Sequence, residues 1–483
     1  MAKQKEFHSA LVPSLDALIG DPKLLEPDED TKLKANELII PTQFIHRIRD
    51  FRDEQSSRGE AATKLLGSFS KILESIHYSE AEYYTCANGM HIRFVRDEQL
   101  KIPHGESRKS STVHTLATAR YYYDAVSHDV AILTGDNYMM SLALGNDIDV
   151  ARVNPETYTG RRKLRMPEDA YEPWFTKGYL TESQFTEFFP NEKPLLLNEF
   201  IQFTFDEALA ASYCPSGKMN SYEMQIGRLE PIKDRDTGEY CLQQLHYISN
   251  LPHYIRPRTA GQAMLAEALM APVSEIPVVI CPSIFGTGKT YLATAIGLFL
   301  TAEKNPHYDR IFVCPRDSEL GKEIGFLPGD EREKTLAKAM PIVDNIRAYV
   351  KGKGDKKPGG QEMCNHDVTK QVDFLIEKHF ELVSIVNMGG RSISDSWIIY
   401  DEAQDMERFQ INQLMKRIGD GSKMIVTGDP HQVYNRHMNY HSNGLSYAAV
   451  KMAGSPYAAV VTMNEAEITR STAAREIARC LDH

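Results

Sequence analysis

The chain has 483 residues, of which 42% are hydrophobic and 25% charged, and its formal net charge is −11. This composition is typical of a globular protein, and the length predicts roughly two to four domains. The acidic balance excludes a general polyanion binder, so any nucleic-acid contact must be confined to a local basic patch or pore. No apolar run approaches the roughly 18 residues of a membrane helix, and the N-terminus has no secretory signal pattern. Seven scattered cysteines without a CxxC pair favour a reducing cytoplasm over a zinc site or a disulfide framework.

The first 150 residues alternate strand and helix patterns. The runs at 37–41 (ELIIP) and 129–134 (DVAILT) predict buried strands, and those at 44–51 and 59–76 predict helices. We therefore expect an α/β domain over residues 1–165. The patterns at 194–205 and 225–245 differ, since they predict strands with a turn at Asp236-Thr237-Gly238. We interpret residues 166–245 as a small β connector.

The last half of the chain, residues 246–483, predicts a parallel sheet covered on both faces. Four short apolar runs predict its strands: 276–281, 310–314, 396–400 and 423–427. A helix pattern follows the first strand at 290–300, and a second at 406–419 is expected to end at Gly419. The order of strand, helix and strand is typical of α/β domains.

The sequence CPSIFGTGKTY, residues 281–291, joins the first of these strands to its helix. Glycines in this context turn backbone N–H groups toward one point, where the helix dipole favours a phosphate. Lys289 is expected to reach the β- and γ-phosphates of ATP, and Thr290 to bind Mg²⁺ through its hydroxyl. The expected nucleotide-binding residues are Ser283, Gly286, Thr287, Gly288, Lys289 and Thr290.

Ser283 stands where the usual phosphate loop has its first glycine. We expect nucleotide binding to survive this substitution, because the donors that hold phosphate come mainly from Gly286 to Thr290. Strain of the order of 1 kcal/mol would arise only if the position required a positive φ.

Two later strand ends supply polar groups to the same edge of the predicted sheet, where ligands bind in open α/β folds. After SWIIY, Asp401 is expected to bind Mg²⁺ and Glu402 to polarise the attacking water. After KMIVT, the Gln432 amide is expected to sense the γ-phosphate or to orient water. Arg470 is a candidate arginine finger, although a lone arginine is also typical of a solvated surface.

Several segments, in the same order, resemble the PhoH family of P-loop ATPases over residues 250–483. They are GTGKTYLA, LGKEIGFLPGDEREK (320–334), GGRSISDSWIIYDEAQD (389–405), GSKMIVTGDPHQV (421–433), SNGLSYA (442–448) and ITRS (468–471). The resemblance implies a helicase superfamily 1-like core that acts on RNA and tends to form homo-hexameric rings. It also implies that Gln262 contacts adenine and that Arg470 reaches the phosphates of a neighbouring subunit.

The chain departs from this family at several positions. Pro315-Arg316 reverses the family's Arg-Pro pair, and Gly389 replaces a usual arginine while Arg391 remains. The lysine-containing segment 351–360 has no apolar anchor, so we interpret it as a mobile insertion.

The N-terminal part resembles a PIN domain, the partner in PIN–PhoH fusions. Its segments LIGDPKLL, ELIIPTQFIHRIRDF, DVAILTGDNYMMSLALG and TYTGRRKL fall in family order. PIN nucleases gather about four carboxylates around divalent metal. Here Ser14, His46 or Arg47, and the segment 110–114 replace expected acids, so only Asp136 remains, with Asp16 two positions out of place. We favour the interpretation that Asp136 caps the following helix.

We therefore expect an ATP-hydrolysing motor on RNA, with a PIN-like domain that serves as scaffold or RNA grip without cleavage. One alternative is an ATP-coupled ribonuclease that uses Asp136 with Asp16 or Asp21. Another is a nucleotide-gated binding or assembly module without strand separation.

Overall fold

The computed structural model divides into two compact units, residues 1–156 and residues 157–483. The residues it describes are 8–27, 35–54, 57–102, 107, 110–152, 157–213, 221–234, 236–302, 306–314, 340–354, 364–382, 392–434, 438, 440 and 443–469. The boundary between the units, at 156/157, lies nine residues before the boundary at 165/166 that the sequence patterns suggested.

The N-terminal unit contains a sheet of order β3-β4-β2-β1-β5-β6, parallel except for β3. Its strands are β1 (His8–Pro13), β2 (Ala35–Pro41), β3 (Tyr84–Thr85), β4 (His91–Val95), β5 (Val130–Thr134) and β6 (Asp149–Arg152). Its described helices are α1 (Leu15–Gly20), α2 (Gln43–Phe51), α3 (Ser57–Ser79), α4 (Ser111–Ala125) and α5 (Asn137–Gly145). Every residue of β5 is buried, as its unbroken apolar run requires for a strand covered on both faces.

The second unit begins with a five-stranded sheet of order β7-β9-β10-β11-β8, called the connector sheet below, and the connector is extended to include β7. Its strands are β7 (Arg161–Arg165), β8 (Tyr179–Thr181), β9 (Phe200–Thr204), β10 (Ile226–Lys233) and β11 (Tyr240–Gln244). The antiparallel pairing of β10 with β11 confirms the hairpin predicted at 236–238. Helices that the sequence patterns missed complete this connector: α6 (Tyr171–Lys177), α7 (Glu182–Phe188), α8 (Glu207–Tyr213) and α9 (Tyr222–Gln225).

The rest of the unit is built on a fully parallel sheet of order β14-β13-β15-β16-β12-β17. Its strands are β12 (Val278–Pro282), β13 (Arg310–Cys314), β14 (Phe380–Leu382), β15 (Ser396–Tyr400), β16 (Lys423–Gly428) and β17 (Ala458–Val460). The described helices are α10 (Ala260–Met270), α11 (Lys289–Ala302), α12 (Met340–Gly354), α13 (Asn365–His379), α14 (Arg408–Met415) and α15 (Gly444–Lys451). Because β15, β16 and β12 are neighbours, the loops that follow them meet at one edge.

Two sequence predictions in this region are wrong. The helix expected to end at Gly419 is α14, which ends at Met415, and the residue with a positive φ in the following turn is Gly421. The segment 351–360 was expected to be a mobile loop, but residues 351–354 form the last turn of α12, where Lys353 lies 6.0 Å from the Tyr254 ring centroid. The remainder of that segment lies outside the described residues.

A buried polar network joins the connector sheet to the parallel sheet. Arg228 is fully buried, and its Nη2 donates to Glu230 at 2.7 Å and to Glu275 at 2.9 Å. Nearby, the Lys423 ammonium donates to the carbonyl of Ala271 at 2.6 Å, and burial holds the pKa of Lys423 well below its ordinary value. Since an unpaired buried charge is costly, this network fixes one arrangement of the two sheets.

Glu230, His246 and Glu267 bring three possible metal ligands close together. The Glu267 carboxylate, however, accepts the backbone N–H groups of residues 246, 247 and 248 at 2.9 to 3.1 Å. These are the donors that the first turn of the short helix Tyr247–Asn250 leaves without helical partners. Glu267 is therefore a cap for this turn.

No described helix combines the length and apolar character needed to cross a membrane. The described cysteines are free thiols, at positions 86, 241, 281, 314 and 364.

Gly160 provides a test of the packing between the connector and the parallel sheet. It has a φ of +72°, and an added Cβ would lie 1.7 Å from the Val460 carbonyl oxygen. Gly160→Ala should lower the free energy of unfolding by about 3 kcal/mol or more, because clash adds to backbone strain. Gly238→Ala is the control, since Gly238 has a φ of +70° with nothing within 4 Å of the added atom. It should cost about 1–2 kcal/mol, from strain alone.

Urea unfolding followed by tryptophan fluorescence measures this difference for the second unit, because both tryptophans of the chain, Trp174 and Trp397, are buried there. Equal losses in the two variants would contradict the packing described.

Candidate functional site

The loop between β12 and α11 has the backbone of a phosphate cradle. Gly286 and Gly288 have φ values of +74° and +84°, which residues with a Cβ rarely adopt. Between them, the buried Thr287 hydroxyl donates to the Ile284 carbonyl at 2.8 Å and closes the turn. Since α11 begins at Lys289, the N–H groups of its first turn lie at the end of this loop, where they favour an anion.

Ser283 is a buried clamp at the start of the loop. It lacks a positive φ, so the strain considered for a non-glycine residue does not arise. Its hydroxyl accepts the Met463 N–H at 2.8 Å and donates to the Val461 carbonyl at 3.3 Å. The side chain therefore ties the loop to the segment after β17. The thiol of Cys281 lies 3.2 Å from the same hydroxyl, and burial raises its pKa to about 11, which keeps it protonated.

Asp401 joins the ends of three neighbouring strands. Its Oδ1 accepts from the Thr427 hydroxyl at the end of β16 at 2.7 Å and from the Thr290 hydroxyl at the start of α11 at 3.2 Å. The N–H of Glu402 donates to the same oxygen at 3.1 Å. The structure thus brings together the two predicted metal-binding residues, Thr290 and Asp401. Thr427, which sequence reasoning missed, holds the carboxylate between them.

Lys289 lies within the loop, 8% exposed, and its ammonium is 3.5 Å from the Ile284 carbonyl that also accepts from Thr287. A lysine in this position needs only a side-chain movement to exchange the carbonyl for a phosphate oxygen.

Glu402 and Gln432 meet through a third residue, Gln404. Glu402 has a φ of +57°, uncommon for a residue with a side chain. The buried Gln404 amide donates to the Glu402 carboxylate at 2.6 Å and to the backbone carbonyl of Gln432 at 3.2 Å, and accepts from the Asp429 N–H at 3.0 Å. Gln404 therefore orients Glu402. The Gln432 side chain itself is exposed.

Asp429 is a second residue that sequence reasoning passed over, although it stands in the quoted GDPHQ segment. It is 2% exposed, and its carboxylate accepts from the Phe285 N–H at 2.7 Å and from the His431 N–H at 3.0 Å. It connects the end of β16 to the middle of the phosphate loop. Asp429, Gln404 and Thr427 all lie within motifs visible in the sequence, but only the contacts assign their roles.

Gln262 lies under the phosphate loop. Its amide Nε2 donates to the Thr287 carbonyl at 2.8 Å and to the Thr469 hydroxyl at 3.2 Å, and its oxygen accepts from the Arg258 N–H at 2.8 Å. In this arrangement the side chain supports the loop backbone. Adenine contact by Gln262 would require these bonds to exchange.

Some predicted contacts lie outside the described residues. They are Arg470, Pro315, Arg316, Gly389 and Arg391, together with the segment 320–334.

The carboxylates proposed for the N-terminal unit have a different environment. Asp136 caps α5, since its side chain accepts the N–H groups of Tyr138 at 3.0 Å and Met139 at 3.3 Å. Asp16 is exposed. Its pKa is raised, mainly by partial desolvation and to a smaller extent by the neighbouring Asp136 carboxylate. Ser14, where the PIN pattern has an aspartate, caps α1 by accepting the Ala17 N–H at 3.2 Å. Among the described residues, Asp16 and Asp136 are therefore close enough to interact, and Asp136 serves as a helix cap.

The donor set at Asp401 fits magnesium. Mg²⁺ prefers hard oxygen ligands and is usually held by one or two protein groups together with substrate phosphates. The Thr290 hydroxyl and the Asp401 carboxylate supply such oxygens beside the phosphate loop, 3.2 Å apart. ATP with Mg²⁺ is therefore chemically suited to this edge.

Replacing Ser283 with alanine should lower the free energy of unfolding by about 1–3 kcal/mol, because the Met463 N–H would be left buried without its acceptor. The control is Ser249→Ala, which removes an exposed hydroxyl bound to the His246 carbonyl and should cost less than about 0.5 kcal/mol. Urea unfolding followed by tryptophan fluorescence measures both. A cost for Ser283→Ala no larger than that of the control would show that the clamp contributes nothing.

Comparison with known proteins shows which family this region resembles. Residues 254–482 match the family model described as PhoH-like protein. Protein PhoH2 of Bacillus subtilis is 29% identical over 318 residues, 65% of this chain and 62% of that protein. Protein PhoH2 of Thermobispora bispora is 30% identical over 213 residues, 44% of each chain. The PhoH-like protein of Synechocystis sp. is 28% identical over 216 residues, 45% of this chain and 58% of that protein.

The matched regions thus span between 44% and 62% of the length of these curated relatives. The family match begins at residue 254, before α10, and includes every described residue of the phosphate loop and of the Asp401 and Gln432 loops. Residues 254–482, which include the parallel α/β sheet, are therefore similar to the PhoH-like protein family.

Proposed function

We propose that the protein hydrolyses ATP and uses the energy to move on or remodel RNA. The observation that carries the proposal is the convergence of Thr290, Thr427 and Asp401 beside a phosphate loop closed by Lys289. P-loop ATPases place a lysine, a hydroxyl and a strand-end aspartate around the β- and γ-phosphates in this way. The RNA substrate and a homo-hexameric ring rest on the resemblance to the PhoH family.

The residues divide the work of hydrolysis between them. Lys289 binds the β- and γ-phosphates, and the N–H groups at the start of α11 bind phosphate oxygens. Magnesium, when bound by Thr290 and Asp401, neutralises phosphate charge. Glu402 accepts a hydrogen bond from the attacking water while Gln404 holds its carboxylate in place. Gln432 senses the γ-phosphate from the adjacent loop, and Arg470 from a neighbouring subunit completes the charge compensation.

The N-terminal unit serves this function as a PIN-like scaffold or RNA grip without cleavage. The use of Asp136 as a helix cap and of Ser14 in place of an acid supports this proposal. In the part of this unit that the structure describes, Asp16 and Asp136 are fewer than the about four carboxylates that a catalytic metal pair of this type needs. The free cysteines favour a cytoplasmic location.

A residual ribonuclease is the second candidate, because Asp16 and Asp136 are close enough for the Asp136 charge to raise the pKa of Asp16. RNA cleavage in Mn²⁺ that is lost in Asp136→Asn would support it. The asparagine retains the capping oxygen, so the loss could not be attributed to helix destabilisation.

Lys289→Ala should reduce ATP turnover at least 100-fold, because the phosphates lose their closest cation. Single-stranded RNA should raise turnover several-fold in the wild-type protein and leave this variant inactive. The control is Lys451→Ala, an exposed lysine at the end of α15, which should keep wild-type turnover. Steady-state phosphate release measures all three proteins.

Normal turnover in Lys289→Ala would overturn the proposed ATPase. Turnover indifferent to RNA in the wild-type protein would instead favour a nucleotide-gated binding module.

A further inference from the structure

Arg161 makes a bidentate ion pair with Glu467, across 306 residues of the chain. Its Nη1 lies 3.0 Å from Oε1, and its Nη2 lies 2.6 Å from Oε2. The two side chains are 16% and 11% exposed, so the pair is largely shielded from water. Paired guanidinium and carboxylate groups in this fork geometry fix orientation as well as charge.

The same carboxylate also holds the start of α10. Glu467 Oε1 accepts the Gly261 N–H at 2.7 Å, and Oε2 accepts the Asn464 N–H at 3.1 Å. Gly261 is the second residue of α10, where helical N–H groups have no partner within the helix. Both oxygens of Glu467 are thus shared between the arginine of the connector and the backbone of the parallel-sheet region.

From Glu467 the contacts continue in two directions to the phosphate loop. Gln262 follows Gly261 in α10, and its amide donates to the Thr287 carbonyl. Thr469 follows two residues after Glu467, and its N–H donates to the Gly286 carbonyl at 3.0 Å. The Gln262 amide also donates to the Thr469 hydroxyl, so this hydrogen bond joins the two routes from Glu467 to the phosphate loop.

We infer that Arg161 is a positioning residue for the nucleotide, acting through Glu467 to hold α10 and the Thr469 segment against the phosphate loop. The inference rests on the proposed nucleotide site and extends it into the connector sheet. Arg161 is the first residue of β7, an edge strand, and its bidentate ion pair is with Glu467. Without its cation, the shielded Glu467 carboxylate would be drawn toward water, and the loop backbone would lose its fixed support.

The neighbouring residue offers a matched control. Arg162 makes an equally bidentate pair with Glu199, at 2.9 Å for both contacts, with exposures of 20% and 7%. Its other bonds reach the carbonyls of Lys193 and Pro194, all within the connector. Arg162→Ala therefore removes a similar ion pair from the same strand, and the described partners of Arg162 do not include a residue of the phosphate loop.

The experiment measures the affinity of the full-length protein for N-methylanthraniloyl-ADP in Mg²⁺, with kcat and KM for ATP alongside. Arg161→Ala should weaken nucleotide binding at least tenfold and raise KM more than it lowers kcat. Arg162→Ala should stay within twofold of wild type in binding, even if both variants lose similar thermal stability. If Arg161 had only a structural role, Arg161→Ala and Arg162→Ala would both lower the melting temperature and would leave nucleotide affinity unchanged.

Glu467→Gln provides a second route if Arg161→Ala fails to fold. It keeps the size of the side chain and an acceptor for the Gly261 N–H, but removes the charge that pairs with Arg161. Weakening by fivefold or more in this variant supports the inference. Binding within twofold of wild type in either Arg161→Ala or Glu467→Gln overturns it while leaving the proposed ATPase intact. A wild-type protein that binds no nucleotide overturns both.

Discussion

The hydrogen bonds that converge on one oxygen of Asp401 determine the geometry of the whole candidate site. Thr427 at the end of β16 reaches it at 2.7 Å, Thr290 after β12 at 3.2 Å, and the Glu402 N–H after β15 at 3.1 Å. These strands are parallel neighbours. Val278 of β12 pairs with Met424 of β16, and Trp397 of β15 pairs with Lys423 of β16. Their buried apolar runs therefore place these polar groups within hydrogen-bonding distance of Asp401.

A second set of side chains keeps the loops of this edge in place. Ser283, Gln404 and Asp429 are nearly or fully buried, and each binds backbone groups of a different loop. Such buried polar groups are costly unless paired, so their complete pairing favours one loop arrangement. The site is thereby organised before a ligand arrives, which is the condition for electrostatic stabilisation of a transition state. Gln262 extends this support from below the phosphate loop.

The sequence predicted those elements of the fold that short apolar runs determine. The strands at 310–314 and 396–400 are confirmed residue for residue, because unbroken apolar runs between polar flanks leave little choice of register. The predicted end of α14 at Gly419 was wrong because the helix ends at Met415 with Lys416 in the right-handed region, so no left-handed glycine terminates it. The inward use of Ser283 and Gln262 could not be predicted, since their partners Met463 and Thr469 lie about 200 residues away in the chain. The same holds for Arg161, whose partner is visible only in three dimensions.

We propose that Thr290 and Asp401 form one site for a divalent ion and a nucleotide. Manganese(II) can replace magnesium at oxygen sites, and electron paramagnetic resonance measures its free concentration directly. We predict that, in the presence of ATP, the wild-type protein binds one Mn²⁺ ion per chain in addition to the Mn²⁺ that free ATP binds. We also predict that Asp401→Asn weakens this nucleotide-dependent binding at least tenfold, because a charged oxygen ligand is lost. Equal Mn²⁺ binding by the two proteins in the presence of ATP would contradict the account.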